Sequence, residues 1–133
     1  MGLDTLYKKF GTNQKTEQEG AWIYYDDELA FKVKRISGRN KKFMLATERI
    51  EKLKRRGELT KAEEDKKYAE LFVDCSLVDW KGVTDDDGND IPFNKENAVA
   101  VLTDDKWPDF FQDIFLKAHD NEHFKDLEKE SGN

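Results

Sequence analysis

The sequence is short of the features that most readily reveal a function. It has one cysteine, Cys75, which excludes an internal disulfide framework and suits a reducing cytoplasm. It has two prolines and eight scattered glycines; with no G-x-G-x-x-G and no GK[ST], there is no phosphate-cradling loop. No apolar run approaches the ~20 residues that span a bilayer, so no membrane partner is expected. The N-terminus, MGLDTLYKKF, lacks the apolar region of a signal peptide. Leu6 stands where a myristoylation signal needs Ser or Thr.

What the chain does have is charge. Of 133 residues, 39% are charged, while Leu, Ile, Val and Phe make up 31 residues, about 23%, just above the level expected of a disordered chain. The expectation is one domain over residues 1–124 with a thin core, followed by a charged, fraying tail over 125–133. A thin core favours stabilisation by self-association or a partner. The charge is also split. Residues 1–56 carry 14 Lys and Arg against 8 Asp and Glu, a balance of +6; residues 57–133 carry 9 against 21, a balance of −12. Such a split suits contact between the basic part of one subunit and the acidic part of another, nucleic-acid contact at the basic end, or simply two solvated faces.

Periodicity predicts an α+β, mainly helical fold: an N-terminal β-hairpin packed on a small bundle of about four helices. Leu3, Leu6, Tyr7 and Phe10 share one helical face, enough for a turn that docks the N-terminus. Gly11 to Glu19 reads as loop. Leu29, Phe31 and Val33 alternate with Ala30, Lys32 and Lys34, and Ala21 to Tyr25 is aromatic and β-branched, so 20–36 reads as a hairpin. Asn40 caps a helix to about Arg56 with a stripe of Phe43, Ala46, Ile50 and Leu53, stopped by Gly57. Thr60 and Glu63 form a capping box. The helix they open is expected to run to about Val78, burying Ala62, Ala69, Phe72, Val73 and Cys75, antiparallel to its predecessor. Asn94 caps a short helix through Leu102, with Phe93 as a hydrophobic staple. Pro108 suits the first turn of a last helix presenting Phe111, Ile114, Phe115 and Ala118, with Phe110 on its edge.

Candidate chemistry is sparse. Asp85 to Asp90 invites a calcium loop, but with Gly88 at the sharp turn Val83 and Asn94 fall at ligand positions, and starting at Asp85 puts Asp90 where glycine belongs. An Asp-Gly turn accounts for the residues. His119-Asp120-Asn121-Glu122-His123 matches H-x-x-E-H, and histidines four apart on one helix face could hold zinc, but a third ligand and a cleft are also needed. Neither a metal nor another cofactor is expected, and no catalytic residue is assigned. Cys75 reads as a buried structural thiol. The best case for nucleic acid is Lys32 to Lys42 with Lys52 to Arg56, plus stacking by Trp22, Tyr24 and Tyr25; the net charge of −6 opposes it. Trp107, Phe110 and Phe111 crowd one helix start, where three large rings cannot all face a small core. Phe111 suits the core, while Trp107 or Phe110 suits an exposed patch.

The richest stretch is Asp79 to Asn97. Val78-Asp79-Trp80-Lys81-Gly82-Val83-Thr84-Asp85, Asp87-Gly88-Asn89 and Ile91-Pro92-Phe93 resemble the small tail assembly chaperones of long-tailed bacteriophages. Glu96-Asn97, Leu102-Thr103-Asp104, Pro108-Asp109-Phe110-Phe111 and Phe124 continue the likeness. Upstream, Leu6-Tyr7-Lys8-Lys9-Phe10, Glu19-Gly20 with Trp22, and Asn40-Lys41-Lys42-Phe43 extend it over nearly the whole chain. The link Asp104-Asp105-Lys106-Trp107 departs from the shorter, leucine-bearing one of that family. The resemblance implies a non-enzymatic protein of the bacterial host cytoplasm. It would bind the tape measure protein, keep it soluble, help recruit tail tube protein subunits and be absent from the finished virion. Many such proteins also exist in a frameshifted longer form. Trp80, Phe93, Trp107, Phe110 and Phe111 are then the candidate partner-binding residues. The alternative is a nucleic-acid-associated phage or bacterial regulator using the basic hairpin and first long helix.

Overall fold

The structure, a computed structural model, describes residues 2–37 and 39–125. It is α+β and mainly helical, as expected, and the sheet has three strands. β1 (Ala21–Tyr24) and β2 (Ala30–Val33) make the hairpin, in a register from Ala21 opposite Val33 to Tyr24 opposite Ala30. Asp26 closes its turn by accepting the N–H groups of Glu28 and Leu29 at 2.8 and 2.6 Å.

The third strand is the main departure from the expectation. β3 (Leu77–Lys81) pairs antiparallel with β2, so the second long helix stops at Cys75 rather than Val78. Ser76 makes the break: its hydroxyl donates to the Lys34 carbonyl at 2.6 Å and its carbonyl accepts from Lys34 N–H at 2.8 Å. Those bonds hold the chain against β2 and leave Leu77-Val78-Asp79-Trp80 to pair with it. Leu77 and Trp80 are three residues apart and would point to opposite faces of a regular strand. A register shift opposite Lys32 and Val33 bulges β3, and both side chains turn inward. β3 is an edge strand, and the Asp79 carboxylate accepts the Trp80 N–H at 2.8 Å. At Gly82 the chain turns with φ +76°, and a Cβ there would lie 2.4 Å from the Glu28 carbonyl oxygen.

The helix caps match the expectation. Asn40 opens α3 (Lys41–Arg55) by accepting from Phe43 N–H at 3.1 Å. Its amide also donates to the Arg35 and Cys75 carbonyls, tying three segments together. Thr60 and Glu63 form the capping box of α4 (Lys61–Cys75), which packs beside α3. Ala62 is exposed rather than buried, because the inward stripe of α4 begins only at Tyr68 and Ala69, beyond the solvated capping turn. Asn94 caps α5 (Lys95–Leu102) through the Asn97 N–H at 2.8 Å. α6 (Phe110–His119) starts two residues after Pro108. Pro108 is therefore not in its first turn, since Phe110 N–H closes a separate turn onto the Trp107 carbonyl at 3.2 Å. A 3-10 turn, Asn121–Phe124, follows and buries Phe124.

The N-terminal segment differs most. α1 (Gly2–Phe10) forms on the expected stripe but does not dock by it: Leu3, Leu6 and Phe10 are 76%, 56% and 66% exposed. Where a loop was expected lies α2 (Gln14–Glu19), capped by Asn13. Glu17 is buried there, its two oxygens accepting from Arg35 at 2.7 Å and Arg39 at 2.6 Å. The core is one cluster between the inner sheet face and α4, α5, α6 and Phe124, with a smaller one around Ile50, Leu71 and Cys75 between α3 and α4. The frayed tail expected after Lys125 lies outside the described residues.

Candidate partner-binding site

The sequence singled out five aromatics, and the fold sends them to different places. Trp80 is buried and its indole N–H donates to the Ile91 carbonyl at 2.8 Å, which pins the loop after β3. Phe93 meets the Trp80 ring edge-on at 5.1 Å between centroids, so the residue ahead of the α5 cap packs on the sheet side. Phe110 packs on Phe31 at 4.9 Å and on Tyr25 at 5.8 Å. Phe111 packs on Phe72 at 5.5 Å and on Phe115 at 6.2 Å. Trp107 alone of the five is well exposed, at 41%. Its indole N–H donates to the Val101 carbonyl at 2.7 Å, which fixes the ring on the loop between α5 and α6.

That loop borders a cleft of about 480 Å³ between α4 and α6. Tyr68, Leu102, Pro108, Phe111 and Phe115 give it an apolar lining. Around them stand Glu64, Asp65, Asp104 and Asp105, with Lys61 the one basic residue lining it among the described residues. Lys54, Lys61 and Lys106 reach three of these carboxylates at 3.3, 2.7 and 3.5 Å. Exposed ion pairs of this kind are weak and exchangeable. Tyr68 donates a short hydrogen bond to Glu51; burial first, and then that bond, push its hydroxyl pKa well above the ordinary tyrosine value. A cleft of this make-up suits the apolar side of a helix with basic residues beside it. Of its lining, only Phe111 was among the five candidate partner-binding residues. Asp104 and Asp105, both in the link that departs from a family pattern, were the available signal.

The other candidates are held in local bonds. Asp85 accepts the N–H groups of Asp87 and Asn89 at 2.9 Å each, and Gly88 turns with φ +84°. The acidic run is thus an Asp-Gly turn at the tip of a small hairpin closed by Thr84 and Asp90. α6 ends at His119, and His123 lies in the following 3-10 turn. The two histidines therefore do not share a helix face, because Asp120 leaves the helical conformation between them. Among the described residues no three His, Cys, Asp or Glu side chains are placed to hold a metal ion. Burial raises the Cys75 thiol pKa, as suits a structural thiol.

In the basic hairpin, Arg35 and Arg39 are engaged by Glu17. Lys81 lies 4.1 Å above the Trp22 ring and donates to the Tyr24 hydroxyl at 2.8 Å. Tyr25 is packed on Phe31 and Phe110, and Lys117 lies 4.3 Å from its ring centre. Trp22 and Tyr25 are half-buried, while Tyr24 stays 55% exposed.

Two further findings concern likeness to known proteins. Residues 38–133, which are 96 of the 133, match a family model described as YdaY prophage protein. No curated protein and no solved structure matches the chain. The matched stretch begins just before α3 and includes the whole lining of the cleft.

Proposed function

The chain belongs to the YdaY prophage protein family, and from that premise we propose that it is a non-enzymatic tail assembly chaperone that holds the tape measure protein. It works in the host cytoplasm, helps recruit tail tube subunits and is left out of the finished virion. The observation that carries the reading is the cleft between α4 and α6, open, apolar-lined and acidic around its edge, with Trp107 exposed on the loop beside it. A long amphipathic client helix exposes an apolar stripe that aggregates in water. A groove that covers part of that stripe keeps the client soluble by burial alone, and needs no reaction. The likeness of Trp80 to Phe93 and of Pro108 to Phe111 to tail assembly chaperones supports the same reading.

The test is co-expression with the tape measure protein encoded by the same prophage. Wild type is expected to raise the soluble client fraction and co-purify with it. Trp107→Ala removes an exposed ring, and Gln112→Trp fills the cleft from an exposed position. Both are expected to fold and at least one to lose the effect, since truncating a true anchor costs ~2 kcal/mol or more. Phe110→Ala is a poor probe because that ring packs on Phe31 and Tyr25. If wild type leaves the client insoluble and forms no complex, the chaperone reading fails.

A further inference from the structure

We infer that α1 of one copy of this chain seats its apolar stripe in the α4–α6 cleft of a second copy. Leu3, Leu6 and Phe10 recur at i, i+3 and i+7, on one face of a helix, and each is more than half exposed. Three large apolar side chains held in a row on one exposed helix face signal a surface that becomes covered. Among the described residues nothing covers it. The C-terminal end of α1 is tied down by the Asn121 amide, which donates to the Lys9 carbonyl at 3.1 Å. Just beyond it, Asn13 N–H donates to the Phe124 carbonyl at 2.7 Å. The described residues leave the stripe exposed.

Charge selects what covers it. α1 carries Lys8 and Lys9 in its last turn against Asp4 in its first. Two grooves with largely apolar linings can be compared among the described residues. The groove between α3 and α4, about 460 Å³, is edged by Lys42, Arg49 and Lys67 against Glu70 and Asp74, a basic excess. The cleft between α4 and α6 has four carboxylates against Lys61, and stays acidic even when Lys54 and Lys106 are counted. Lys8 and Lys9 favour the acidic cleft, which lies in the half of the chain that carries −12 while α1 lies in the half that carries +6. The apolar faces supply the affinity and the charges supply the choice of groove.

The contact does not depend on the chaperone reading, although both use the same cleft, and it is tested without any client. Sedimentation of the full chain, from micromolar to hundreds of micromolar, should show association that weakens as salt screens the charges. Leu6→Asp changes an exposed side chain and is expected to give a folded monomer. Asp105→Arg and Gln112→Trp, on the cleft side, are each expected to weaken association at least tenfold. Mixing Leu6→Asp with Gln112→Trp restores one intact stripe and one intact cleft, so a one-to-one dimer should appear where neither variant associates alone. A wild type that stays monomeric at hundreds of micromolar in low salt overturns the inference. So does a Leu6→Asp variant that associates like wild type, or association that is lost with Leu6→Asp but untouched by both cleft substitutions. A client that is still solubilised in any of these cases leaves the chaperone reading standing.

Discussion

Tyr25 and Asp113 lie 88 residues apart in sequence and meet in one hydrogen bond, the Tyr25 hydroxyl donating to Asp113 at 2.6 Å. Burial first, then that bond and the nearby negative charge, raise the Tyr25 hydroxyl pKa far above its ordinary value of 10.0. Lys117 first, and then Tyr25, hold Asp113 below its ordinary 3.8. The two shifts act on opposite limbs of the pH profile. A depressed carboxyl contributes stability that is present above the unfolded value and lost as pH falls below about 4. A raised hydroxyl contributes stability that is present below pH 10 and lost above it, as the unfolded chain ionises. Urea midpoints from pH 7 down to 3 and up to 11 should fall on both sides. Asp113→Asn should flatten part of the acid limb, shared with Asp26 and Glu63, whose pKa values are also lowered. Tyr25→Phe should flatten part of the alkaline limb, shared with Tyr68. Unchanged limbs in both variants would show that the pair carries no linked protons.

The turn that leaves β3 depends on one backbone position. Gly82 combines φ +76° with a close approach to the Glu28 carbonyl, so Gly82→Ala should cost ~2 kcal/mol or more through strain and a shifted hairpin turn. Gly88→Ala has a similar φ but nothing within 4 Å, so thermal melts should show the smaller loss there; equal losses would rule out the steric part of the argument. The same region shows what the sequence could not display. The caps Asn40, Thr60 and Asn94 were legible because a cap is a local event, one side chain meeting an N–H three residues ahead. β3 was not, because Leu77 continues the helical spacing of Ala69, Phe72 and Val73. What ends α4 is Ser76 bonding to Lys34, 42 residues earlier. α2 was hidden for a related reason. Gln14–Glu19 has no apolar period, and its buried Glu17 is held by arginines 18 and 22 residues away. α1 was legible as a stripe, but not that the stripe would stay bare. The cleft is assembled from α4 and α6, so neither sequence segment alone outlines it, and of the three aromatics around Pro108 only packing separates the exposed Trp107 from the covered Phe110 and Phe111.

At the scale of the whole molecule, folding is expected to be independent of metal. Asp85 already accepts two backbone N–H groups, and His119 and His123 sit on different elements. Melts in chelator, calcium and zinc should coincide; a rise of several degrees with stoichiometric metal would refute this, because a ligand of the native state must stabilise it. The Asp79 carboxylate has a wider effect than its short bond suggests. An unprotected edge strand offers its amides to any passing strand, and addition of that kind has no natural stopping point. At β3 the Trp80 amide is taken by a neighbouring carboxylate, which also brings a negative charge to the rim of the sheet, and the strand is five residues long before Gly82 turns it away. Addition of a further strand is thereby disfavoured at the β3 edge of the sheet.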